Sequence, residues 1–166
     1  MTRTSSATGP SPAGGGPALS LTDRQLEVLR RVAQGEELRS IGADLHLSVG
    51  GVHALLFRTF PKLGAANTVN AVHIAGRMGL LGDRHAPKAC PGSVRMPETL
   101  VCVLRLVACG HTNAEIGRHF ERSEGWAAEQ MRAIMRRLDA RDRAHAVALA
   151  IGAGLIRPPR PEQHVA

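Results

Sequence analysis

The chain says nearly the same thing twice. Val32 to Leu45 reads "VAQGEELRSIGADL", and 75 residues later Val107 to Phe120 reads "VACGHTNAEIGRHF". The offset holds without a gap over two whole blocks, 21–81 and 96–156. Val28, Leu29, Arg30, Val32, Ala33 and Gly35 reappear as Val103, Leu104, Arg105, Val107, Ala108 and Gly110. Ile41, Gly42 and Ser48 reappear as Ile116, Gly117 and Ser123. Leu63, Ala71, Val72, Ala75, Gly79 and Leu80 reappear as Leu138, Ala146, Val147, Ala150, Gly154 and Leu155. Gapless identity at scattered, mostly apolar positions is the pattern of an internal duplication. The period is too long for one solenoid unit, so two copies of a small domain are expected.

The remaining segments have the composition of connections. Residues 1–20, "MTRTSSATGPSPAGGGPALS", read as a disordered tail. Residues 82–95, with two prolines and two glycines, read as a linker. Residues 157–166 read as a second tail, because prolines without an N–H cannot sit inside a helix.

Each block is expected to form four short helices and no strand, an all-α fold. Leu21-Thr22-x-x-Gln25 is a capping box with Leu21 placed to staple onto Leu26. Val28, Leu29, Val32 and Ala33 then share one helical face. Gly35 and Gly110 suit the residue that ends a helix. Thr112-x-x-Glu115 is a second capping box, which Glu37 to Ser40 lack. Ser48 and Ser123 are N-cap candidates for the third helix of each block, and Asn67 and Asp142 for the fourth. The inward stripe of the third helix is Val52, Leu56, Thr59 and Leu63 in one block. In the other it is Ala127, Met131, Ile134 and Leu138.

Composition narrows the function. The aromatics are Phe57, Phe60, Phe120 and Trp126, with no Tyr, which argues against stacking of single-stranded bases. A formal charge of +7 permits an acidic partner such as nucleic acid. The excess within the blocks is small: residues 21–81 hold seven basic and five acidic side chains, and 96–156 hold eight and seven. Cys90, Cys102 and Cys109 lack the spacing of a disulfide framework. Cys102, Cys109, His111 and His119 read as incidental neighbours rather than four convergent metal ligands. No phosphate loop or carboxylate pair stands out, so no enzyme, cofactor or metal is expected. No signal peptide or apolar run of bilayer length is evident, so the expectation is a soluble cytoplasmic protein without membrane contact.

A short helix, a tight connection at Leu45–Ser48 and a longer helix give the order of a helix-turn-helix. "LTDRQLEVLRRVAQG", "LHLS", "KLGA" and "AVHIAGRMGLL" resemble the LuxR-type (GerE-type) DNA-binding domain. "LRLVACGHTNAEIGRHF" and "AVALAIGAGLI" in the second block are similar to it too. The resemblance implies two tandem four-helix units whose third helices read duplex DNA and whose fourth helices pair. That pairing would be an intramolecular pseudo-dimer or a homodimer. Receiver and ligand-sensing domains, frequent upstream in the family, are not expected within this chain.

The reading surface departs from the family. After the capping Ser the family runs x-x-Thr-Val-(Lys/Arg)-x-His-apolar. Here the first block has Gly51, Val52, His53, Leu55 and Leu56, and the second has Trp126, Ala127, Ala128, Gln130 and Met131. Gly50 and Gly51 each cost up to about 1 kcal/mol against Ala in a helix interior. Pro61 is expected to end or kink the third helix of the first block. Glu124 and Glu129 add negative charge in the second.

The candidate DNA-binding residues are Arg39, His53, Arg58 and Lys62, then Asn113, Arg118, Trp126, Gln130, Arg132, Arg136 and Arg137. Leu55, Phe57 and Trp126 fit either thymine methyls or a protein partner. The expected function is a non-catalytic transcription regulator binding an asymmetric duplex site. The alternative is a protein-interaction adaptor or antagonist that kept the fold and lost DNA reading. The linker could reach roughly 45 Å, more than the about 34 Å between successive major grooves.

Overall fold

The structure, a computed structural model, describes residues 21–82 and 94–156. The expected tails and nearly all of the expected linker lie outside them. The described residues form eight helices and no strand. They are α1 (Asp23–Ala33), α2 (Leu38–Asp44), α3 (Val49–Leu63), α4 (Thr68–Arg77), α5 (Glu98–Ala108), α6 (Asn113–His119), α7 (Glu124–Leu138) and α8 (Arg143–Gly152). Each of the last four begins and ends 75 residues after its counterpart. None of them is long and apolar enough to cross a membrane.

Local chemistry explains the boundaries. Thr22 and Gln25 close a reciprocal capping box on α1, as Thr112 and Glu115 do on α6. Glu37 precedes α2 without a side-chain cap. The hydroxyls of Ser48 and Ser123 accept from the N–H groups of Gly51 and Trp126, each at 3.1 Å. Asn67 and Asp142 cap α4 and α8 in the same way. Pro97 precedes α5 and offers no side-chain cap.

Of the two outcomes expected at Pro61, an end or a kink, the first does not occur; the helix runs on to Leu63. The missing Pro61 N–H deprives the Phe57 carbonyl of its donor. That deficit falls in the last turn, on an exposed stretch where water can serve the carbonyl. The helix then stops at Gly64, in the left-handed region at φ 66°.

Two apolar clusters form the interior. The first gathers Val28, Leu29, Ile41, Val52, Leu56 and Val72 from α1 to α4. The second gathers Leu104, Val107, Ile116, Met131, Ile134 and Val147 from α5 to α8. The expected stripes of α3 and α7 face these clusters, with Leu138 only half-buried. The clusters meet along α4 and α8, which lie against each other. Ala144 and Ala148 of α8 belong to the first cluster, and Val69 of α4 packs against both.

Matched contacts flank this seam. A Cβ on Gly35, past the end of α1, would fall 2.4 Å from Nδ1 of His145 on α8. A Cβ on Gly110, past the end of α5, would fall 3.3 Å from Cβ of Asn70 on α4. Asn70 and His145 are themselves 75 residues apart. The α4–α5 side carries the hydrogen bonds. Asn67 Nδ2 donates to the Gly110 carbonyl at 2.9 Å, and Asn70 Nδ2 to the Ala108 carbonyl at 2.9 Å. Nδ1 of His73 lies 3.0 Å from the same Ala108 oxygen and must carry the proton, since a carbonyl only accepts.

Candidate nucleic-acid interface

α2 and α3 are joined by four residues and bend through 100°. The turn depends on two features. His46 sits at φ 54°, and its counterpart Glu121 also at 54°. At Gly42 a Cβ would meet the Leu47 carbonyl oxygen at 2.6 Å; at Gly117 it would meet those of Arg122 and Ser123 at 2.8 Å. The Ile-Gly pair common to both repeated phrases is thus an anchor and a gap. Ile41 and Ile116 fill the cores, while the glycines let the next segment cross the short helix closely.

This turn leaves one face of each longer helix in solvent. On α3 the stripe is Gly50, His53, Ala54, Phe57, Arg58 and Pro61, all exposed. Phe57 is 73% exposed. Beside it lies a shallow groove of about 410 Å³ lined by His53, Ala54, Phe57, Arg58, Phe60 and Thr68. Leu55 is half-buried and packs against the first core. Lys62 is turned back toward α1, where its Nζ donates to Gln25 Oε1 at 2.9 Å. Arg39 is exposed on α2.

On α7, Glu129, Arg132, Arg136 and Arg137 are exposed. The Glu129 carboxylate is bracketed by two arginines, Oε2 paired with Nη1 of Arg132 and Oε1 3.6 Å from Nη2 of Arg136. Trp126 is half-buried, its ring 5.1 Å from that of Phe120, and it packs against the second core. Gln130 is also half-buried. Arg118 is exposed on α6. Asn113, at the start of α6, has its Oδ1 taken by Nη1 of Arg143 at 3.1 Å.

Arg143 was not among the sequence candidates. It opens α8 and ties that end to α6 through Asn113 and the His111 carbonyl, the latter at 3.4 Å. Burial pushes its guanidinium pKa below the usual value, and its Nε is buried without a partner among the described residues. Glu115, accepting from the Thr112 N–H and hydroxyl, is held below the usual carboxylate range by those bonds. The Glu129 clamp was foreseeable from its i+3 spacing to Arg132. The Arg143 contact spans 30 residues and carried no local signal.

A short helix, a tight turn and a longer helix with one solvent-facing stripe define a helix-turn-helix unit. Residues 19–75 match the model of the bacterial regulatory proteins of the luxR family, and this part of the chain is one LuxR-type helix-turn-helix domain. The response regulator UvrY of Escherichia coli K12 is 33% identical over 64 residues, covering 39% of this chain and 29% of that protein. The response regulator RamR of Streptomyces coelicolor is 39% identical over 64 residues, covering 39% of this chain and 32% of that protein. The chain spans about a third of the length of these curated relatives. No solved structure matches it.

Proposed function

We propose that the chain is a DNA-binding transcription regulator, and that block 96–156 is a second copy of the helix-turn-helix unit in block 21–81. In this reading α4 and α8 hold the two copies as an intramolecular pseudo-dimer, so that α3 and α7 enter one duplex together. The observation that carries it is the packing of α4 on α8, flanked by the matched Gly35–His145 and Gly110–Asn70 contacts. The helix lengths, paired one for one at an offset of 75, support the duplication. The family match and the two response-regulator relatives support DNA as partner. Arg39, Arg58, Arg118 and Arg137, with Arg132 and Arg136 beside Glu129, are exposed on the helix-turn-helix elements, and this reading assigns them to phosphates and base edges.

Titration of the full chain with labelled duplexes at several salt concentrations tests this. Binding should weaken steeply with salt. Arg136→Ala with Arg137→Ala should lower affinity and flatten the salt slope by about one unit per lost phosphate contact. Unchanged slope and affinity would remove α7 from the interface.

One observation favours a second reading, a protein-interaction adaptor: the largely exposed ring of Phe57 in the middle of α3. Trp126, the sole tryptophan, separates the two. Its fluorescence should respond to duplex DNA at low salt under the first reading. It should ignore DNA under the second.

A further inference from the structure

The exposed faces of α3 and α7 are chemically unlike at matched positions. Where α3 carries His53, Ala54, Phe57 and Arg58, α7 carries Ala128, Glu129, Arg132 and Ala133. One face sets an exposed aromatic ring and a methyl, Phe57 and Ala54, between an imidazole, His53, and a single guanidinium, Arg58. The other is a carboxylate set between two guanidinium groups. We propose that the two helices take half-sites of different base composition. The half under α3 is rich in thymine. The half under α7 contains adjacent cytosine and guanine, with Glu129 as a specificity-determining residue. This inference rests on the DNA-binding reading above.

Bases differ in the edges they show in the major groove. The thymine C5 methyl is the apolar group there, and an exposed ring flanked by Ala54 has no polar base atom to bond. Phe57 therefore gains by covering methyls and loses against a polar edge. A carboxylate needs a donor. Cytosine N4 and adenine N6 are the donors available, but adenine N6 stands beside the N7 acceptor, which repels a carboxylate. Cytosine is the better partner for Glu129. Arg132, one turn along the same stripe, then matches the N7 and O6 acceptors of a neighbouring guanine. The ion pairs offset the repulsion that a lone Glu would suffer near phosphate, and they orient the carboxylate and the Arg132 fork before binding.

Selection of bound duplexes from a random pool by the full chain tests the proposal, repeated with Phe57→Ala and with Glu129→Gln. Both positions are exposed, and circular dichroism checks that the variants stay folded. The wild type should enrich thymines in one half-site and a cytosine–guanine step in the other, about one helical turn away. Phe57→Ala should flatten the thymine half alone. Glu129→Gln should lower discrimination for cytosine on the order of tenfold at one position, and leave the thymine half intact. Two halves of equal composition would overturn the proposal. So would a Glu129→Gln variant that binds every sequence more tightly with unchanged preference. Enrichment of a single half, indifferent to Phe57→Ala, would overturn it by assigning α3 to a protein surface. Recovery of no duplex at all would sink the DNA-binding reading itself, and this inference with it.

Discussion

At the scale of single residues, the glycines of the repeated phrase carry the sharpest constraint. A methyl group at Gly117 would press on two backbone oxygens at 2.8 Å, which cannot swing aside as a flexible side chain would. Gly117→Ala is therefore expected to destabilise the chain by about 1–3 kcal/mol, the usual cost of overpacking, as urea unfolding would measure. Gly125→Ala is the control: its nearest neighbour is Ser123 Oγ at 3.8 Å, and its stability should be unchanged or higher. His73 makes a second prediction. Burial lowers its pKa below 6.5, Arg77 acts in the same direction, and the Ala108 bond partly opposes them. The fold thus favours the neutral ring. Its contribution to stability is complete above pH 6.5 and is lost as pH falls through the depressed folded value. Wild-type Tm should drop more steeply between pH 7 and pH 5 than that of His73→Gln, which keeps a donor for Ala108 but no titration. Equal slopes in the two proteins would contradict this.

At the scale of elements, the caps decide what was legible in the sequence. Thr22 with Gln25, Thr112 with Glu115, and Ser48, Ser123, Asn67 and Asp142 all act within four residues, so spacing alone revealed them. The weak start of α2 was legible for the same reason. Glu37→Ser with Ser40→Glu should install the missing box on two exposed positions and raise stability by about 0.5–2 kcal/mol. A thermal melt no higher than wild type would show that α2 is held by packing alone. Pro61 does not stop α3 because a proline's penalty depends on distance from the helix end, and it falls here in the final turn. The candidate site was legible in part. The α3 and α7 stripes follow from helical period. The turning back of Lys62 to Gln25 crosses 37 residues and left no local trace. The side-chain bonds beside α4 and α8 are not legible in the sequence. Their partners, Asn67 with Gly110 and Asn70 with Ala108, lie 43 and 38 residues apart.

At the scale of the whole molecule, the two apolar clusters are not independent. Ala144 and Ala148 of α8 complete the first cluster, so residues 21–82 alone would leave that face of α4 without the cover α8 gives it. Such a fragment is expected to melt below the full chain, or to pair with itself. The seam also sets how α3 and α7 stand to each other, and, under the proposed function, the separation of the grooves they would reach. Asn67→Asp, which keeps the cap on α4 but sets an oxygen against the Gly110 carbonyl in place of the donor, should loosen that relation; under the proposed function, duplex affinity in the same titration should fall, and an unchanged affinity would count against the seam's role. In the proposed pseudo-dimer, one chain presents two helix-turn-helix units to one duplex as a rigid pair. Hydroxyl-radical footprinting of a selected duplex, at measured one-to-one stoichiometry, tests it most directly. Two protected patches are expected on the same side of the DNA, centred about 10 base pairs apart. A single patch, or two patches that appear only when two chains are bound, would contradict it.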